Sequence, residues 1–405
     1  MSRAAPLRPM IVLPADPAEM RIGGIASFVR SFVKFAPDDV EVSMIGVSAE
    51  LPTWTWTTVE MEGRPMRFLS ALHASTERRS RVPLAWRFTA SVLRHRRQIR
   101  TAGHVVNFHR PATDLAVPGS SAPRVRYVHL TTADLTTAGS ESRWRRLGRV
   151  LAAVERRSFG RMDRVYVVNS EAAADYRSRW PEVADRIRFV PNWYDGSIFR
   201  PLPLADREAA RLATLARHGI PGDARMVLFA GRLEGQKSPL LLVEAIANAR
   251  AAEPAVLVIA GDGSLRQAVE RRVEELGIGP DVRFVSTQAR IELNQLMNAA
   301  SCLVISSKFE TGPTVGYEAL ATGLPIATTP VGEIGRIVAA SGSGVVADDH
   351  SPAAVARAIE AVLGQSPDDL RARALAAAEP YSAQHVLAGL YADQRELVGP
   401  PMSRP

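Results

Sequence analysis

The sequence predicts an α/β protein made of two doubly wound domains facing a central cleft. Two observations predict it. Short apolar runs recur along the chain, as in Arg225–Ala230 (RMVLFA) and Ala255–Ala260 (AVLVIA), and segments with apolar residues at helical spacing separate them. Runs that are apolar at nearly every position fit strands buried on both faces, hence a parallel sheet between two helical layers. A third observation locates function. Glycines and charged or histidine residues stand just after the strands, where open parallel sheets bind ligands.

The elements follow in order. A strand at 10–13 leads through a loop with Gly23 and Gly24 to a helix at 25–35, then a strand at 40–47. Strands at 104–108 (HVVNF) and 125–128 are each followed at once by a histidine, His109 and His129. Strands at 165–169 and 187–190 close the first half, and 196–203 reads as a linker. The second half alternates strand and helix from residue 225 to 328. It includes strands at Val282–Val285, 302–306 and 324–328, and a helix Thr314–Thr322 with Pro313 at its first position and Gly323 closing it. The predicted domains are 1–197 and 198–380, with a terminal helix at 381–398 crossing back to the first and a disordered tail at 399–405.

Composition excludes several classes. At 405 residues and 46% hydrophobic content the chain can bury two cores, and no apolar run approaches the roughly 20 residues of a membrane span. Residues 1–10 lack the apolar stretch of a signal peptide, so a cytoplasmic protein is expected. Cys302 is the one cysteine, which excludes an intrachain disulfide and a cysteine-based zinc site. Only Lys34, Lys237 and Lys308 are lysines among the 50 basic residues. The arginine excess reads as compositional bias, and nucleic acid is not an expected partner.

Residues 1–200 hold 31 basic and 19 acidic side chains, a net +12, and the remainder carries −4. Residues 78–100 carry eight arginines and no acid, and 143–164 are similarly dense. Apolar residues interleave in the first segment. Two readings stay open there: a helix packing its apolar stripe inward, or peripheral contact with the anionic inner face of a membrane.

Two segments carry the chemistry. Gly231 lets the chain turn after a strand, and Arg232 and Lys237 follow in the loop. They read either as a clamp on a diphosphate or as two solvated charges. In KFETGPTVGYE, 308–318, the free amides of Thr314 and Val315 at a helix N-terminus suit an anion, while Glu310 and Glu318 suit sugar and ribose hydroxyls. Two carboxylates at one loop–helix junction fit poorly with a glycosidase, which sets them across the scissile bond.

With FAGRLEGQKSP, LVIAGDGSLR, VRFVS and SKFETGPTVGYEALATGLPIATTPVGE, this pattern resembles the donor half of a GT-B glycosyltransferase, of the retaining family 4 (glycosyl transferases group 1) type. The first half carries further resemblance in VVNFHRP, RYVHLTT, VVNSEAA and VPNWYD, and the end of the chain in YSAQHVLAGLYAD. The resemblance implies sugar transfer from a UDP- or GDP-sugar to an acceptor hydroxyl with retention. It assigns Glu310 to donor sugar hydroxyls, Glu318 to the ribose, and Arg232 and Lys237 with the Thr314 and Val315 amides to the leaving diphosphate. It also places Gly261 and Gly263 against the nucleotide, Gln288 in the loop bordering the base, Gly23 and Gly24 near phosphate or acceptor, and His129 beside the transferred sugar with His109 nearby. Trp193 and Ser286 stand where the family usually has glycine.

The sequence holds no Asp-x-Asp pair and no metal-spaced His/Cys cluster, so no metal and no cofactor are expected beyond the donor substrate. The acceptor stays open, a lipid-linked or phosphorylated one suiting the basic half. Two competing readings are a nucleotide-sugar epimerase of the same fold and a non-catalytic basic membrane- or nucleic-acid-binding module.

Overall fold

The computed structural model describes residues 5–20, 24–75, 82–110, 113–117, 121–129, 148–249 and 255–399. They form two compact units, one of residues up to Pro191 together with those from Gln384, the other Asn192–Ala383. Gly23 and, save Gly399, the tail at 399–405 lie outside the described residues, as do 143–147 of the arginine-dense 143–164 segment and 78–81 of the 78–100 segment.

The first unit is an eight-stranded sheet of β1 (Pro9–Val12), β2 (Ser43–Ser48), β3 (Trp56–Met61), β4 (Arg64–His73), β5 (Val105–Phe108), β6 (Arg124–Val128), β7 (Arg164–Val167) and β8 (Ile187–Phe189). Its order is β3-β4-β2-β1-β5-β6-β7-β8, parallel throughout except for the antiparallel β3–β4 pair. That hairpin turns on Glu62 and Gly63, both at positive φ (53° and 73°), which matches the twist of the strands it joins. The sequence reading placed no strand at 56–73. The reason is physical: β3 is an edge strand with only Met61 buried, so it lacks the apolar run that marks its neighbours.

The second unit is a six-stranded, all-parallel sheet of β9 (Arg225–Ala230), β10 (Ala255–Ala260), β11 (Val282–Val285), β12 (Cys302–Ile305), β13 (Ile326–Thr328) and β14 (Gly344–Val346). The order β11-β10-β9-β12-β13-β14 is that of a Rossmann-like doubly wound sheet, and its direction of growth reverses between β9 and β12. Alternate side chains feed two cores. Leu228, Val258 and Leu303 lie in one, and Val227, Leu257 and Val304 in the other. This is why each strand is apolar at nearly every position.

Helix Thr314–Thr322 ends at Gly323, which takes a left-handed φ of 81°. Pro313 does not occupy the first helical turn as expected. Its ψ of 115° is extended, and it flanks the helix. The linker segment joins the second unit earlier than residue 198 because Tyr194 pairs with the segment before the last helix. Its amide donates to Tyr381 O at 3.1 Å, and its carbonyl accepts from Ala383 N at 2.9 Å.

Helix Ala383–Val398 then returns to the first unit. Gln394 Nε2 donates to Asn107 Oδ1 (2.9 Å) and to Tyr127 Oη (2.8 Å). Asp393 accepts from Tyr166 Oη (2.6 Å) and Arg164 Nε (3.2 Å). Among the described residues, no helix is long and apolar enough to cross a membrane.

Candidate functional site

The strand order reverses between β9 and β12, so the loops after these two strands stand at the switch point where open parallel sheets take ligands. These two loops are stitched together. Lys308 N donates to Gln236 O (2.8 Å), Gln236 Nε2 to Phe309 O (3.1 Å), and Ser306 Oγ to Lys237 O (2.8 Å). His350 Nε2 lies 3.1 Å from both Ser238 Oγ and Ser306 O. Ser238 itself is buried in a left-handed conformation (φ 47°), so the chain turns sharply just after Lys237.

The stitching brings Lys237 and Glu310 together. Lys237 Nζ forms an ion pair with Glu310 Oε1, and Ser307 Oγ donates to the same oxygen at 2.9 Å. Arg232 is exposed on the β9 loop, five residues before Lys237. Asn192 Nδ2 donates to Gly312 O, tethering the start of the second unit to the loop that carries Glu310. Trp193, where a glycine was usual, is buried.

Gly261 and Gly263 have a local reason to be glycine. A Cβ on Gly261 would come within 1.9 Å of Gly231 O, and one on Gly263 within 2.5 Å of Leu233 O. The β9 and β10 loops lie against one another, joined by Leu233 N to Asp262 O and Leu265 N to Leu233 O, each 2.9 Å. The glycines thus hold the loop that presents Arg232. Gln288 is half-buried and turns its amide back onto Ser286 O (2.8 Å).

Helix Thr314–Thr322 starts at the end of the β12 loop, so the first amides, those of Thr314 and Val315, have no partner within the helix. Glu318 is buried one turn on. Burial pushes its carboxyl up to about 7, with Arg290 opposing the rise and Asp195 adding to it. Asp195 accepts from Ser197 N (3.0 Å) and Oγ (2.6 Å) and pairs with Arg290 Nη1 (3.3 Å), whose guanidinium lies over the Phe199 ring. Sequence reasoning passed over Asp195, Ser307 and His350. Asp195 stood inside the quoted VPNWYD and Ser307 opened the quoted SKFETGPTVGYE run, while His350 carried no local signal. Arg290 ends the loop 286–290 that the resemblance sets beside the base, and the structure pairs it with Asp195.

In the first unit, His109 and His129 also come together. His109 Nδ1 lies 3.0 Å from His129 Nε2. Phe28 meets both rings edge-on at 5.2 Å, and His109 stacks on Tyr127 at 4.6 Å. Burial, reinforced by Arg126 and Arg110, pushes His129 down to about 3, and burial with His129 and Arg126 holds His109 well below the usual histidine range. Both imidazoles are therefore neutral near pH 7, and one ring donates to the other. Gly24 is exposed at the start of helix Gly24–Lys34, with open space around its α-carbon.

Residues 211–379 match the family described as "Glycosyl transferases group 1". This segment is similar to a group 1 glycosyltransferase domain. It contains Arg232, Lys237, Gly261, Gly263, Gln288, Glu310, Thr314, Val315 and Glu318; Gly24, His109 and His129 lie outside it.

Curated relatives similar to this chain are named "D-inositol 3-phosphate glycosyltransferase". That of Nocardioides sp. is 34% identical over 218 residues, 49% of this chain and 46% of the relative. That of Corynebacterium urealyticum is 34% identical over 230 residues, 55% and 52% of the two chains. The chain spans about half the length of the curated relatives it matches. Likeness of fold extends further. Sucrose-phosphate synthase from Thermosynechococcus elongatus superposes with a TM-score of 0.77 at 20% identity, covering 96% of this chain and 99% of that one. The lipopolysaccharide-biosynthesis glycosyltransferase WaaG superposes at 0.71 and 20% identity, covering 97% and 100%. The fold is GT-B, with two Rossmann-like units.

Proposed function

We propose that the chain transfers a sugar from a UDP- or GDP-sugar to an acceptor hydroxyl with retention of anomeric configuration. The observation that carries this is the Lys237–Glu310–Ser307 cluster at the strand-order reversal, beside the N-terminus of helix Thr314–Thr322. Lys237 and Ser307 both engage Oε1 of Glu310, and Oε2 accepts a hydroxyl of the donor sugar. Glu318 accepts the ribose hydroxyls. Arg232, Lys237 and the amides of Thr314 and Val315 meet the charge that grows on the departing diphosphate. One such preorganised donor is typically worth about 10²–10³ in rate. In the first unit His129 is neutral and lies against the His109 ring.

In the reaction the bond from the sugar's anomeric carbon to the diphosphate oxygen breaks. The acceptor oxygen bonds to that carbon on the same face, and the acceptor proton passes to the leaving phosphate oxygen. The names of the curated relatives favour a phosphorylated polyol as acceptor, and the basic first half is in keeping with that. No divalent metal is required, because the cations and amides supply the positive charge.

Calorimetric titration with UDP- and GDP-sugars, followed by transfer assays with and without inositol 3-phosphate, tests the reading. Turnover in EDTA equal to turnover in buffer is the expected result. Loss of turnover in EDTA with recovery on Mn²⁺ would refute metal independence. Nucleoside diphosphate release that needs no acceptor would point to an epimerase.

A further inference from the structure

Helix Leu84–Arg94 has two apolar faces. Phe88 and Val92 are buried, and Ser91 Oγ bonds to Ala71 O on β4 (2.5 Å), which fixes the inward side. Trp86 and Leu93, seven residues apart, lie together on the opposite side and are 56% and 48% exposed. Val82 (51%) precedes the helix. Leu115 (37%) sits on the helical turn Thr113–Ala116, which packs beside it. Large apolar residues scattered singly on a surface mean little, but Trp86 and Leu93 share one helix face, with Val82 just before the helix and Leu115 on the turn beside it.

The segment that carries this helix has one sign of charge. Residues 82–100 contain five arginines and no acid, and Arg94, Arg96, Arg97 and Arg100 are all exposed. We infer that this face seats the protein on an anionic lipid bilayer, with Trp86 and Leu93 entering the interface and the arginines meeting the headgroups. A tryptophan with an apolar body and a polar N–H suits that depth, and arginine stems lie along apolar surface with their heads in water. A bilayer explains the charge where a second copy of the chain does not. A two-fold contact through this patch would set arginines against arginines. The inference stands independently of the proposed transfer reaction, since it needs neither donor nor acceptor.

Vesicle flotation with the full chain decides it, using 30% phosphatidylglycerol in phosphatidylcholine against pure phosphatidylcholine, without nucleotide. The protein floats with the anionic vesicles at low salt and not with the neutral ones. Raising salt to about 0.5 M, where screening shortens the reach of charge to a few ångströms, releases most of it. Trp86→Ser with Leu93→Ser lowers partitioning at least about tenfold, because the apolar area entering the interface is lost. The double variant melts at the wild-type temperature, since both side chains are exposed, so lost flotation reports the surface and not the fold. No flotation at low salt, equal flotation with neutral vesicles, or wild-type flotation of the double variant overturns the inference. So does a wild-type dimer that the double variant dissociates, with no vesicle binding, which would make the patch a self-contact.

Discussion

In the ribose-binding role proposed for it, Glu318 would couple affinity to pH. Its carboxyl is raised to about 7 by burial, so at pH 6 the folded protein holds it mostly neutral and at pH 8 mostly charged. A carboxylate can accept two ribose hydroxyls, whereas a protonated acid gives up part of that capacity. The dissociation constant for the nucleoside diphosphate therefore falls as pH rises from 6 to 8. Glu318→Gln flattens this dependence, as titration calorimetry at three pH values will show. The same raised carboxyl contributes stability that is fully present below its unfolded range and is lost as pH rises through about 7. Glu310→Ala lowers transfer by at least about 100-fold with nucleotide affinity nearly unchanged, whereas Glu318→Ala weakens the nucleotide about tenfold or more, the scale of a hydrogen bond to a charged group. Equal loss of nucleotide binding in both variants would mean the two roles are wrongly divided. The spacing of Glu310 and Glu318 shows in the sequence because it is local to one loop and helix. The Asp195–Arg290 contact beside Glu318 does not, since the two residues lie 95 positions apart and meet only through the fold.

At the scale of elements, the second unit was legible where the helix layers bury a strand on both faces. β9, β10 and β12 read straight from their apolar runs, while the half-exposed β3 did not. The glycines of the β10 loop show what a sequence pattern leaves out. Their positions after a strand pointed to close approach, but the group approaching Gly261 within its own unit is the Gly231 carbonyl. Gly261→Ala must push two hydrogen-bonded loops apart, at a cost of about 1–3 kcal/mol by the usual penalty for overpacking. Gly279→Ala has nothing within 4 Å of its new methyl and should change stability little. Thermal melts of the two variants give the comparison, and an equal melting temperature for Gly261→Ala would show that the loops separate at no cost.

At the scale of the molecule, each sheet has a helical layer on both faces, and helix Ala383–Val398 belongs to the unit that the chain left at Pro191. The sequence carried this only as a resemblance in its closing segment, because nothing local marks Gln394 as a core residue of the β5–β6 region. Gln394→Ala leaves Asn107 Oδ1 without that donor, and the loss should be about 1–3 kcal/mol. Hydrogen exchange will place the damage: amides of β5 and β6 lose protection while those of β9, β10 and β12 keep theirs. Uniform loss across both sheets would show that the two units unfold as one.

That returning helix also sets an order of events during synthesis. Everything from Asn192 to Ala383 is continuous in the chain and can close its sheet as soon as it leaves the ribosome. The earlier segment emerges first yet lacks Tyr391, whose hydroxyl reaches Phe32 O, and Gln394, which joins Asn107 to Tyr127. The part translated first is thus the part finished last. Until residues 383–398 arrive, Tyr166 waits without Asp393 and Tyr127 has Asn107 but not Gln394, exposed to whatever chaperones attend the nascent chain.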